Sequence, residues 1–204
     1  MRVAHLEILV EEPSMEAALR LVVPRIVRDL SFEVYPYQGK HDLLRRLPER
    51  LQGYAKWLRP NWRIVVLVDR DDDDCNRLKR RLEEMARDAR LLTRSASRSN
   101  ACAVVNRMAI EELEAWYFGD WAAVQAAYPR VPVNVPAKAK YRLPDAVKGG
   151  TWEAFERILQ RAGYFKGGLR KIEAARAVAE HWVPARNTSV SFRAFRNVLE
   201  ELAQ

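Results

Sequence analysis

The sequence predicts an α/β chain with a central, mostly parallel four-stranded sheet flanked by helices, and three observations predict it. Four apolar runs alternate with four amphipathic stretches, β-α-β-α-β-α-β-α. That alternation argues for a Rossmann-like sheet with helices on both faces. The run "RIVVLV", 63–68, is continuous and β-branched, as strands buried on both faces are. Hydrophobic residues make up 49% of the 204 positions, enough for a proper core, so disorder is excluded as the default.

"VAHLEILV", 3–10, reads as the first strand: Ala4, Leu6, Ile8 and Val10 share one face and Glu7 the other. "MEAALRLVVPRIVRDL" follows as a helix, with Ser14 as its expected N-cap and Pro24 expected to kink or divide it. "FEVYPYQ" is the second strand. "GKHDLLRRLPERLQGYAKWL" is a helix expected to be interrupted near Pro48. After the third strand, 63–68, "CNRLKRRLEEMARDA" is a charged amphipathic helix and "RSASRSN" a polar loop. "ACAVVNRM" is the fourth strand, and "IEELEAWYFGDWAAVQAAY" reads as one helix. Four prolines then break the pattern over 129–150, and helices are expected near 151–162, 169–181 and 190–203. The expected division is an α/β domain over 1–130 and a basic, mainly helical extension over 131–204, packed on it.

Net charge is +8, and it is uneven: residues 137–204 hold 13 Lys+Arg against 7 Asp+Glu. A basic balance admits nucleic acid, an anionic membrane or an acidic partner and says nothing about fold. Cys75 and Cys102 make no disulfide framework, and with the scattered His5, His41 and His181 they make no zinc spacing. No apolar leader opens the chain, and no stretch approaches the roughly 20 apolar residues of a membrane span. A cytoplasmic location is expected. No P-loop spacing and no Ser-His-Asp grouping can be read.

The chemistry concentrates in "VVLVDRDDDDC", 65–75, where an apolar run ends in five aspartates within six positions. Carboxylates that close destabilise one another unless a positive group joins them. In open parallel sheets ligands sit outside the carboxyl ends of the strands, and the acids fall there. Glu11 and Glu12 follow the first strand, Asp69 and Asp71 the third, and Glu111, Glu112 and Glu114 the fourth. If the chain stays extended, Asp69 and Asp71 point to the same side. Oxygen ligands from several loops suit Mg²⁺ or Mn²⁺. For Asp72, Asp73 and Asp74 the favoured reading is helix capping or solvation. Glu16, one turn into the first helix, stays open between a ligand and a helix stabiliser. Glu114 and Glu111, three apart on one expected helix, stay open between site and solvated face. Lys138, Lys140, Arg142, Lys166, Arg170 and Lys171 are the cations available for phosphate. Trp116, Tyr117 and Trp121 suit either base stacking or the core, with the core favoured.

"ILVEEPSMEAAL", "VVLVDRDDDDC" and "AIEELEAWYFGD" together resemble the Toprim domain shared by topoisomerases, primases and OLD nucleases. Among these the chain is most similar to small stand-alone OLD-like bacterial proteins, the domain-of-unknown-function 4276 family. "YPRVP", "KAKYRLPDAV" and "NTSVSFRAFRNVLEEL" extend the likeness over nearly the whole chain. The resemblance implies metal ligands at Glu11, Asp69, Asp71 and Glu16. It implies catalytic roles for Glu11 and Glu114; Lys166, beside two glycines, is expected as a catalytic cation from its charge. Lys138, Lys140, Arg142, Arg170 and Lys171 would hold nucleic acid, with DNA expected. The implied activity is Mg²⁺- or Mn²⁺-dependent phosphodiester hydrolysis beside an ABC/SMC-type ATPase in bacterial defence, with a homodimer as one allowed assembly. One departure is Glu12, where such proteins usually carry glycine. That favours an alternative, a catalytically weak docking or regulatory subunit of an ATPase complex. Nucleotidyl transfer in the same pocket is a further alternative.

Overall fold

The computed structural model describes residues 2–97 and 101–204. Positions 98–100, at the end of the expected polar loop, lie outside them. The described elements run β1 (His5–Val10), α1 (Pro13–Ile26), β2 (Ser31–Pro36), α2 (Lys40–Trp57), β3 (Trp62–Asp69), α3 (Cys75–Asp88), β4 (Val104–Ala109), α4 (Leu113–Gly119), α5 (Trp121–Ala127), α6 (Thr151–Arg161), α7 (Lys171–Glu180) and α8 (Val190–Ala203). Three single 3₁₀ turns fill the proline-rich stretch between α5 and α6.

The four strands form one sheet in the order β2-β1-β3-β4, and every pairing is parallel. Residues 64–68 of β3 are fully buried because both faces are covered. Alternation sorts the side chains of β1. Leu6, Ile8 and Val10 join an apolar cluster with α1, α4, α6, α7 and α8, whereas Leu9 faces α2 and α3. Trp116, Tyr117 and Trp121 lie in the first cluster, at 5% exposure or less, so they pack the core and do not stack bases.

The C-terminal helical region is fastened by polar contacts that no local pattern announces. At the end of α1, Arg25 donates to the carbonyls of Ala179 and Trp182, both at 2.7 Å, and so caps the end of α7. Asp145 accepts from the Val190 amide at 2.7 Å and the Ser189 hydroxyl at 2.9 Å, and Ser189 in turn caps α8.

Four expectations are corrected. α2 runs through Pro48 without interruption, because Leu43, Leu47 and Leu51 bury one continuous stripe on either side of it. Pro24 falls in the last turn of α1, where the broken ladder shortens no further helix. Ser14 is not the N-cap: Pro13 takes the first helical position, Glu12 precedes it, and the Ser14 hydroxyl donates to Glu12. The expected single helix over 110–128 is two helices. It breaks at Asp120, whose carboxylate accepts from the Val183 amide at 2.9 Å and pairs with Arg186 at 2.6 Å. Gly119 is required there, since a Cβ would collide with Asn187.

Among the described residues no helix is long and apolar enough to cross a membrane.

Candidate active site

The sheet order reverses direction between β1 and β3: the chain leaves β1 toward one edge and returns from β3 toward the other. The carboxyl ends of those two strands bound the crevice where open parallel sheets bind ligands. Glu11 follows β1 and Asp69 ends β3. The Asp69 amide donates to Glu11 Oε2 at 3.2 Å, so the two acids are held side by side. Glu11 is 9% exposed. Burial, reinforced by Asp71, pushes its carboxyl up to about 7. Asp69 is buried, and burial together with Glu11 and Glu114 holds it well above the ordinary aspartate value.

Glu114 lies in the first turn of α4 at 1% exposure, and burial pushes it up to about 8. Asp69 Oδ1 and Glu114 Oε2 are both buried without a hydrogen-bond partner among the described residues. A buried acid oxygen left bare is costly unless it holds a proton or meets a cation. Glu111 is not on Glu114's helix. It precedes α4 with φ of 64° and pairs with Arg70.

The rest of the aspartate run divides by function. The chain is no longer extended at Asp71, whose φ is 47°, so strand alternation does not set its direction. Its carboxylate is taken by Lys40, at 2.6 Å. The same ammonium reaches Asp73 at 2.9 Å and the Arg70 carbonyl at 3.0 Å. Burial works against the Lys40 charge, but Asp71 and Asp73 hold it above the ordinary lysine value. Asp74 caps α3 by accepting from the Arg77 amide at 2.7 Å, and Asp72 is exposed.

Glu112 is a cap too, accepting from the amides of Thr151 and Trp152 at 3.1 and 2.9 Å where α6 begins. Glu12 has an extended backbone (φ −143°), so its position asks for no glycine conformation. Its carboxylate lies 3.6 Å from Lys171 at the start of α7. Burial opposes the Lys171 charge too, and Glu114 and Glu12 hold it up.

A family model, Domain of unknown function (DUF4276), matches residues 10–202. The chain belongs to the DUF4276 family. No curated protein and no solved structure matches it. The DUF4276 match spans every acid named above and both lysines that reach them.

Among the described residues no group of three or more His, Cys, Asp or Glu side chains is gathered to hold a metal ion. The reason is visible in the partners. Glu16 pairs with Arg20 at 2.9 Å, and Asp71 with Lys40. The donor chemistry nevertheless fits a hard divalent cation, since the buried Asp69 Oδ1 and Glu114 Oε2 are unpartnered acid oxygens.

The structure brings together Glu11, Asp69 and Glu114, and places Asp71 beside them under Lys40. It does not gather the other expected residues. Lys166 is exposed in the turns before α7. Lys138, Lys140 and Arg142 are exposed on the 3₁₀ stretch, with the Lys140 ammonium over the Tyr141 ring at 4.6 Å. Arg170 pairs with Glu173 at 3.0 Å, and Lys171 sits among the acids. Sequence reasoning missed Lys40. It opens α2, in the short connection after β2, and the rule that drew attention to acids after strands applies equally to a cation there.

Proposed function

We propose that this chain is a Toprim-fold, OLD-like phosphodiesterase that hydrolyses nucleic acid with a divalent metal. The observation that carries the reading is the pair of bare, buried acid oxygens, Asp69 Oδ1 and Glu114 Oε2, beside Glu11 at the sheet's switch point. Glu11 and Asp69 would hold Mg²⁺ or Mn²⁺, joined by Asp71 once it is released from Lys40. Such an ion lowers the pKa of water and clamps a phosphate. Glu11 would serve either as that ligand or as the general acid/base at the attacking or leaving oxygen, a role that suits a carboxyl pushed up to about 7 in the metal-free site. Lys40 and Lys171 bring positive charge to where a pentavalent phosphate would develop its own negative charge. Glu114, fully buried, adds to the upward push on Asp69. The basic region around Lys138, Lys140 and Arg142 would hold the backbone, with DNA as the expected polymer. An ABC/SMC-type ATPase partner and a cytoplasmic role in bacterial defence belong to the same proposal.

Incubating the purified chain with plasmid and Mn²⁺ tests the reading. Nicking that requires the metal and disappears in Glu11→Gln supports it. Nicking of equal rate in both proteins sinks it.

A second reading is favoured by one observation: Lys40 and Lys171 already neutralise acids of the site from within the chain. A site balanced this way suits a docking or regulatory subunit of an ATPase complex. Under that reading the chain binds its ATPase and cleaves nothing in either partner's presence.

A further inference from the structure

α2 covers β1 and β3 but leaves one side of the edge strand β2 open. Between them runs a groove of about 850 Å³, lined by Tyr35 from β2, by Tyr37 just after it, and by Arg45, Arg46, Arg50 and Trp57 from α2. From Asp42 to Trp57 the helical wall is roughly 22 Å long at 1.5 Å per residue. One end, at Gln38 and Asp42, adjoins Lys40, and the groove then descends along the face away from α1.

Its floor is built. Glu7 is 3% exposed, and its carboxylate accepts from the Tyr54 hydroxyl at 2.5 Å while His5 Nε2 lies 3.1 Å away. Arg50 donates to the same Tyr54 hydroxyl at 3.0 Å, and its guanidinium lies over the Tyr35 and Tyr54 rings at 4.7 and 5.0 Å. The floor acid is thus engaged, and the arginine is pressed flat. Arg45 and Arg46 share Asp42 at 2.7 and 2.8 Å, yet their side chains remain about 60% exposed, with donors to spare. Trp57 is 53% exposed at the far end. Gly53 completes the wall, and a side chain there would enter open space.

Planar rings beside arginine forks match one ligand chemistry, a flat base joined to a phosphate. Guanidinium forks fit phosphate oxygens, and exposed aromatic rings stack bases of any sequence. A purely apolar ligand would leave these arginines desolvated and unpaired. We propose that the groove between α2 and β2 binds nucleotide units, with Arg45 and Arg46 on phosphate and Trp57 and Tyr37 on bases. The occupant is either a free nucleotide or a single strand passing toward Lys40. Binding here is independent of whether the acids hydrolyse anything.

The test uses the full chain in low salt with a chelator, so no cleavage contributes. Fluorescence anisotropy follows a labelled six-residue oligodeoxyadenylate, with unlabelled AMP as competitor. The wild type should bind, and Gly53→Trp, which fills the groove, should weaken binding about tenfold or more. Trp57→Ala and Arg46→Ala, both at exposed positions, should each weaken it several-fold with unchanged melting, so the result stands even where the plug disturbs folding. Replacing Lys138, Lys140 and Arg142 with alanine should leave most of the affinity. AMP competing as well as the oligomer, per site, identifies a free nucleotide; competition by the oligomer alone identifies a strand. No binding by wild type, equal affinity in Gly53→Trp and Trp57→Ala, or loss of affinity only in the Lys138, Lys140 and Arg142 variant would overturn the proposal.

Discussion

Strand β1 and the residue after it carry two buried glutamates, Glu7 and Glu11, in opposite surroundings. Glu7 is held by Tyr54 at 2.5 Å and has His5 at 3.1 Å. Glu11 has one long hydrogen bond, from the Asp69 amide at 3.2 Å, and burial, Asp71 and Glu12 push its carboxyl up against the opposing charge of Lys40. Burial is similar, at 3% and 9% exposure, so burial is not what separates them. Partnership is. A buried charge whose acceptors are filled serves the fold, and removing it strands its partners. A buried acid with little to bind raises the energy of the empty site and lowers it again when a proton or cation arrives.

The largest expected effect is on turnover. Glu11→Gln should cut single-turnover cleavage by about 10³-fold, in the range that loss of a general acid/base produces. Its melting temperature should not fall, whereas Glu7→Gln should keep turnover in its folded fraction. Comparable losses in both variants would erase the distinction between the two glutamates.

Stability should show the reverse ranking. Glu7→Ala leaves the Tyr54 hydroxyl and His5 without their common acceptor and should destabilise the chain by about 3 kcal/mol. Glu11→Ala should change stability by less than about 1 kcal/mol, or raise it. Urea unfolding measures both, and a larger drop in Glu11→Ala contradicts the assignment.

The pH dependence has a definite sign. Glu11 and Glu114, raised to about 7 and 8 from 4.5, bind protons more tightly folded than unfolded. Their unfavourable ionisation is absent below the unfolded value and grows as pH rises through the folded ones. The metal-free chain should therefore lose several kcal/mol between pH 5 and 8, with about 7 kcal/mol as the upper bound from the two shifts together, and the loss should flatten in Glu11→Gln plus Glu114→Gln. Stability that rises over this window would show that the acids are compensated.

A smaller gain is expected from Asp69→Asn. Removing the charge on this buried acid should stabilise the metal-free chain by about 1 kcal/mol and abolish the rise in melting temperature expected from Mn²⁺ in the wild type. The check is thermal melting with and without the ion, and an undiminished Mn²⁺ response in the variant removes Asp69 from the ligands.

The difference between the glutamates also marks what a sequence makes legible. Alternation in "VAHLEILV" and the run "RIVVLV" announced strands, and acids after those strands announced Glu11 and Asp69, because period and strand ends are local. The turn at Asp71, with φ of 47°, is not local: Asp71 bonds its amide to the Glu111 carbonyl at 2.9 Å, across the sheet. Lys40 was legible only as a cation after a strand, and its pairing was not, since its partner Asp71 lies on another loop. Glu112 reads as one more acid of the cluster until α6 arrives on top of it. The break at Asp120 follows from Arg186, far along the chain. Pro48 shows the converse: a local signal overruled by a leucine stripe.

The placement of α8 has a consequence for how the chain is made. Its Phe192, Phe195 and Leu199 belong to the apolar cluster that holds Leu6 and Val105, and α8 itself contacts β4. Synthesis at about 5–20 residues per second leaves roughly 5 to 20 s between the emergence of Ala109 and that of Ala203. Through that interval all four strands exist while part of one sheet face has no cover. The nascent chain is therefore a client for whatever shields apolar surface at the ribosome, and codon choice over residues 110–203 sets how long it stays one.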